Sequence, residues 1–158
     1  MKDQQFQIRQ AVLQDSDQIL ACLRAAFAPY ENLYTPAAFA DTVLDALTIS
    51  PRMQRMHMLV ATVGDQVIGT VSGSLCDDDE GHLRGMAVLP EYQSSGVAKD
   101  LLGAIEHWLK ENGCNRVTLD TTLPLQRAMK FYERNGYGRS GRAADFFGMT
   151  LVEYAKDL

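Results

Sequence analysis

Residues 83–110, LRGMAVLPEYQSSGVAKDLLGAIEHWLK, restrict the fold more than any other part of this chain. An apolar strand running to Leu89 meets Pro90, which lacks the N–H that a sheet ladder needs, so the chain must turn. The loop Gln93-Ser94-Ser95-Gly96-Val97-Ala98 then opens an amphipathic helix. Leu101, Leu102, Ile105, Trp108 and Leu109 share one face of it, and Glu106 and Lys110 pair at i,i+4 on the other. Asn112-Gly113 supplies the stop, and Arg116 to Thr121 reads as a strand. A helix between two such strands is a crossover joining parallel strands, so a mixed sheet with helices on its faces is expected.

The remaining elements fit that frame. Phe6 to Ala11 reads as a first strand. Asp15-Ser16-Asp17-Gln18 carries a helix-start pattern, with Ile19, Cys22, Leu23, Ala26 and Phe27 at helical spacing and Pro29 at the exit. Thr35-Pro36 repeats the start signal, and Phe39, Val43, Ala46 and Leu47 predict one apolar stripe ending before Pro51. The period then changes: Met56 to Val63 and Val67 to Leu75, joined by Gly64-Asp65, predict a hairpin. Asp77-Asp78-Asp79-Glu80-Gly81 is a second polar turn, and His82 to Leu89 completes a meander. Leu125 to Asn135 reads as a helix stopped by Gly136, with final strands at Tyr137 to Gly141 and Met149 to Tyr154.

A length of 158 residues predicts one domain, 1–158, able to bury its own core. No apolar run is long enough to span a bilayer, and Met1-Lys2-Asp3-Gln4-Gln5 lacks the apolar core of a signal peptide, so a cytoplasmic location without membrane attachment is expected. The net charge of −5, with no basic stripe, argues against a nucleic-acid partner. Cys22, Cys76 and Cys114 show no metal-ligand spacing, so buried reduced thiols and no metal are expected.

Backbone amides at a helix N-terminus attract phosphate. Gly96 allows close approach, Ala98 is small, and Ser94 and Ser95 are predicted to cap the helix. Amides from about Ser95 to Lys99 could surround a diphosphate, with Lys99 adding a cation. A single glycine at this spacing equally describes an ordinary loop before a helix. Strand, loop, helix and a strand ending in Asp120 also imitate a dinucleotide-binding unit. That reading lacks the tight-turn glycine, is lengthened by Pro90-Glu91-Tyr92, and follows a meander of strands. No GxxxxGK[ST] loop exists.

Leu83-Arg84-Gly85-Met86-Ala87-Val88, Pro90-Glu91-Tyr92 and Gln93-x-x-Gly96-x-Ala98 together resemble the central motif of the GNAT N-acetyltransferase superfamily. The family's Q/R-x-x-G-x-G/A loop binds the pyrophosphate of acetyl-CoA. The run Ala128-Met129-Lys130-Phe131-Tyr132-Glu133-Arg134-Asn135-Gly136-Tyr137 is similar to the family's A-x-x-(F/L)-Y-x-x-x-G-(F/Y) helix. The resemblance is sharp from about Leu83 to Gly138 and loose elsewhere. It implies an α+β fold: a mixed, mostly antiparallel central sheet of about six to seven strands flanked by four helices.

The resemblance further implies that Gln93, Ser94, Ser95, Gly96, Val97, Ala98 and Lys99 hold the pyrophosphate, and that backbone groups of Met86, Ala87 and Val88, on a strand splayed at a bulge, bind the pantetheine arm and acetyl oxygen. Two departures stand out. Ser94-Ser95 occupies a place where relatives often carry a basic residue, and Leu125 one where many carry Asn. The activity implied is transfer of an acetyl group from acetyl-CoA to a primary amine of a small molecule or peptide, by direct attack on the thioester. Deprotonating an alkyl amine of pKa ~10.4 at pH 7 costs roughly 4–5 kcal/mol, so a base is required. Glu80 is the candidate, with Asp79 and His82 beside it at the start of the central strand. Tyr132 matches the position that serves as general acid in many relatives. Tyr30, Glu31 and Tyr34 fall where the family often shapes its acceptor pocket, suited to a cationic amine. Family members often dimerise, so a homodimer is compatible with this reading. The alternatives are a non-catalytic acyl-CoA-binding module of the same fold and, further off, a dinucleotide-binding enzyme.

Overall fold

The computed structural model describes residues 5–158; the polar start at Met1 to Gln4 lies outside the described residues. Among the described residues seven strands form one sheet. They are β1 (Gln7–Gln10), β2 (His57–Val63), β3 (Gln66–Leu75), β4 (Glu80–Val88), β5 (Arg116–Thr122), β6 (Gly138–Phe146) and β7 (Met149–Asp157), in spatial order β1-β2-β3-β4-β5-β7-β6. Five helices cover it: α1 (Ser16–Phe27), α2 (Pro36–Thr42), α3 (Ile49–Arg55), α4 (Val97–Glu111) and α5 (Gln126–Arg134). Every strand pair is antiparallel except β4 with β5, joined by the α4 crossover. The expected mixed, mostly antiparallel sheet is therefore present. A dinucleotide-binding sheet would need several parallel neighbours. No helix among the described residues is long and apolar enough to cross a membrane.

The expected four helices become five because the second one breaks. Thr35 caps α2 through its hydroxyl, which accepts from Ala38 N at 3.3 Å, but the backbone leaves the helical region at Val43. Asp45 then accepts from Leu47 N (2.9 Å) and Thr48 N (3.0 Å), offering the backbone a turn in place of a helix. Leu44 turns inward while Leu47 stands 84% exposed, so the predicted stripe does not form. Pro51 lies in the first turn of α3, where a missing N–H costs nothing, rather than past a helix end. Asp15 also departs from expectation. Its carboxylate does not cap α1 but turns back to Arg9 (2.7 and 2.8 Å) and Val12 N (2.8 Å). Gln18 ties α1 to the β2–β3 turn, donating to Asp65 O and accepting from Val67 N. Cys22 and Cys114 are buried, but Cys76 is exposed, contrary to the expectation for all three.

Two cores form, one on each face of the sheet. Leu101, Leu102, Ile105 and Leu109 of α4 pack with Ile68, Val71, Leu83, Val117 and Leu119. On the other face Ile19, Cys22 and Leu23 of α1 and Ile49 of α3 pack with Met58, Val60 and Ala87. α4 lies close to the sheet: a Cβ on Gly81 would stand 2.6 Å from a methyl carbon of buried Leu109. Gly81→Ala is therefore expected to destabilise the fold by about 1–3 kcal/mol through overpacking. Gly103→Ala, on the open side of the same helix with nothing within 4 Å of the new methyl, is expected to stabilise it by about 0.5–1 kcal/mol. Urea unfolding of the two variants checks both signs.

Candidate functional site

The site originates in a fault in β4. Thr70 pairs with Ala87 and Ser72 with Arg84, so two steps along β3 oppose three along β4. The surplus residue is taken up at Gly85-Met86, and Gly85 has φ +69°, which glycine adopts without a Cβ clash. The parallel ladder with β5 runs from Glu80–Arg116 to Leu83–Leu119 and stops there. β4 goes on to Val88 and β5 to Thr122, so both strands extend beyond their last pair and part. A cavity of about 900 Å³ opens at this parting, with Met86, Ala87, Val88, Leu119, Asp120 and Thr121 among its walls. Met86–Val88 thus have no strand partner on the β5 side.

The loop ahead of α4 closes one end of the cavity. Ser94 (φ +63°) and Gly96 (φ +89°) are left-handed, a backbone form that turns successive N–H groups into one concavity. Gly96 is the N-cap and provides no side-chain cap. Val97, Ala98 and Lys99 open the helix, and their N–H groups make no hydrogen bond of ordinary geometry to any described atom. Ser94 and Ser95 do not cap the helix as expected. Ser95 Oγ donates to Tyr92 O, and Ser94 Oγ accepts from Arg127 Nη2 at 2.7 Å. Arg127, on the first turn of α5, also donates to Gln93 Oε1 at 3.2 Å. A guanidinium from a distant segment thus stands at the loop where sequence shows no basic residue. Gln93, Ser94, Gly96, Ala98 and Lys99 line the cavity, but the Val97 side chain is core and only its backbone is available.

Tyr132 of α5 lines the cavity with a side chain that is 8% exposed. Its hydroxyl makes no hydrogen bond with any described residue, and burial pushes the phenol well above its usual pKa. Phe131 and Tyr137 pack edge-on against its ring at 5.3 and 5.7 Å. Tyr137 is in turn fixed by donation to Glu106 at 2.6 Å. The arrangement holds a protonated phenol facing the parting strands.

The opposite end of the cavity is polar and charged. Tyr30 and Tyr34 line it, and Tyr34 is anchored to Thr122 Oγ1 at 2.6 Å. Glu31 is exposed and takes no part in the wall. Glu80 is also left out, because it begins β4 beside Arg116 at 4.0 Å, five residues before the bulge at Gly85. At roughly 3.3 Å per residue that is about 16 Å away. His82 is brought in instead: its Nδ1 lies 2.8 Å from Thr118 Oγ1 and its Nε2 3.6 Å from Asp120 Oδ2. Burial raises the Asp120 carboxyl above its usual range, while His82 opposes that shift. Arg84 pairs with Asp41, and Arg52 reaches in from α3. Sequence reasoning passed over Arg52, Arg84, Asp41 and Arg127 because their signal is one of placement. Asp120 entered only as part of a dinucleotide imitation. Arg84 and Arg127 had a sequence cue, the one inside the first motif and the other next to Ala128 of the second.

A sequence profile of the acetyltransferase (GNAT) family matches residues 12–137. Among solved structures, the chain is similar to the PaiA N-acetyltransferase of Thermoplasma acidophilum in complex with coenzyme A, at 18% identity and TM-score 0.79 over 98% of this chain and 99% of that one. A GNAT-family acetyltransferase from Desulfovibrio desulfuricans aligns at 19% identity and TM-score 0.78, covering 97% and 99%. The ribosomal-protein-S18-alanine N-acetyltransferase of Escherichia coli aligns at 16% identity and TM-score 0.75, covering 97% and 94%. At these identities the structures establish a shared fold. Gly85→Ala, which forces a Cβ into the left-handed conformation at the bulge, is expected to cost about 1–2 kcal/mol in chemical unfolding.

Proposed function

The chain belongs to the acetyltransferase (GNAT) family, and from that premise we propose that it is an acetyl-CoA-dependent N-acetyltransferase acting on a primary amine of a small molecule or peptide. One observation carries the reading. The unpaired edge of β4 at Met86–Val88, Ala98 and Lys99 with their open amides, and the buried Tyr132 all border one cavity. The donor set fits a diphosphate: amides at a helix N-terminus, two left-handed residues and the Arg127 guanidinium are all suited to anionic oxygen. Acetyl-CoA supplies, when bound, an activated acyl group and a thiol leaving group.

Each protein group then has a role set by its surroundings. Gln93, Ser94, Gly96, Ala98, Lys99 and Arg127 hold the diphosphate, with Ser95 and Val97 contributing backbone. Backbone N–H groups within Met86–Val88 serve as donors to an acyl oxygen, since β5 does not use that edge. Tyr132 keeps its proton at pH 7 and is the general acid for the departing sulfur. His82 replaces Glu80 as the base. Thr118 Oγ1 donates to Gly81 O at 3.4 Å and so accepts from His82 Nδ1–H, leaving the lone pair on Nε2. A proton gained at Nε2, directly or through water, is stabilised by Asp120 alongside.

Incubation with acetyl-CoA and a panel of primary amines, read as free thiol, tests the proposal. Amine-dependent thiol release is expected. Thermal stabilisation by coenzyme A with no release from any amine would favour the non-catalytic module. Tyr132→Phe is expected to lower kcat about 10²-fold with little change in KM for acetyl-CoA. Arg127→Ala is expected to raise that KM roughly tenfold or more, without altering Tm, because the side chain is exposed.

A further inference from the structure

Two guanidinium groups and a single carboxylate paired with one of them stand at the polar end of the cavity. Arg84 of β4 is ion-paired with Asp41 of α2, and its Nη2 also lies 3.5 Å from Asp41 O. Arg52 of α3 lines the same wall, its Nη1 3.8 Å from the point that a Cβ on Gly85 would occupy. Its guanidinium makes no ion pair or hydrogen bond with any described residue, and the residue is half-buried. Burial pulls its guanidinium down to about 10, and Arg84 and Arg55 add repulsion that Asp41 only partly offsets. A half-buried cation without a partner is costly, and an anion placed against it relieves that cost. Another charged part of the wall has the opposite character: His82 lies beside the Asp120 carboxylate, which attracts cations.

Between Arg84 and the bulge, this end of the cavity thus offers one unpaired guanidinium and, separately, an imidazole–carboxylate pair. We propose that Arg52 is a specificity-determining residue that grips a carboxylate on the acceptor, so that the acceptor is an amino-acid-like amine carrying its own carboxylate. The inference rests on the acetyltransferase reading above. A carboxylate matches the planar guanidinium fork in a bidentate pair. It also matches the charge, since Arg84 is already engaged and one uncompensated cation balances a monoanion rather than a phosphate dianion.

The test compares free L-amino acids with their α-carboxamides and their decarboxylated amines, and with O-phosphoethanolamine, for wild type, Arg52→Gln and Arg52→Lys. Wild type is expected to prefer the acid over the amide by about 10²-fold in kcat/KM, mostly in KM, as for a charge-assisted pair. Arg52→Gln is expected to bring acid and amide within about threefold while keeping its activity on the amide. Arg52→Lys, which keeps the charge but loses the fork, is expected to fall between. A second readout is thermal stabilisation by the same amino acids with coenzyme A present, expected in wild type and absent in Arg52→Gln. Equal use of acid and amide by wild type, an unchanged preference in Arg52→Gln, or a preference for O-phosphoethanolamine would each overturn the inference. Carboxylate-dependent stabilisation that needs Arg52, without thiol release from any amine, would support this site and refute acetyl transfer. Amine acetylation without carboxylate dependence would do the reverse.

Discussion

The structure depends on the misfit between two neighbouring strands. β4 has one residue more than β3 can match, and glycine at position 85 allows the excess to be absorbed as a bend. Had β4 stayed in register, its parallel pairing with β5 could have continued past Leu83–Leu119 and used the peptide groups of Met86–Val88. The parting of the strands leaves an exposed backbone edge inside a cavity. An exposed edge is normally a liability in a sheet; here it is short and lies within a cavity.

The crossover makes that edge useful. α4 must begin just beyond the end of β4, so its open N-terminal amides stand beside the parting strands. The same helix is pinned by Leu101, Ile105 and Leu109 against a sheet face kept low by glycines such as Gly73 and Gly81. Rigid packing of the helix therefore fixes the end of the cavity that its open amides border. The other face of the sheet is covered by α1 and by the short helices and turns after it, and the latter carry Tyr30, Asp41 and Arg52 to the polar end of the cavity. In the family reading, the donor end is thus built on long regular elements, and the acceptor end on turns and helices of about two turns.

Much of the fold was legible because it follows local rules. The hairpin at Gly64-Asp65, the α4 stripe and the Thr35 cap need only neighbours a few residues apart, and all are present. The second helix misled because Phe39, Val43, Ala46 and Leu47 keep helical spacing, whereas the side chain of Asp45 bonds the backbone into a turn. The serines of the loop misled similarly: Ser95 found Tyr92 O and Ser94 found Arg127 before either could cap α4.

By itself the sequence determined the sheet-and-crossover frame, the glycine loop and the motif helix with Tyr132, because each is written in contiguous residues. Only the tertiary structure decided which charges share the cavity. Arg127 comes to the loop from a segment more than thirty residues away (|i−j| of 33 and 34), and His82 meets Asp120 across a parallel pair that closes only after α4 has crossed over. Glu80, the carboxylate expected from the sequence, is kept out of the cavity wall by strand length, since each residue advances the chain about 3.3 Å. Arg52 has no sequence signature at all. Its meaning lies in the lack of a partner, which exists only once the rest of the chain has taken up its place around it.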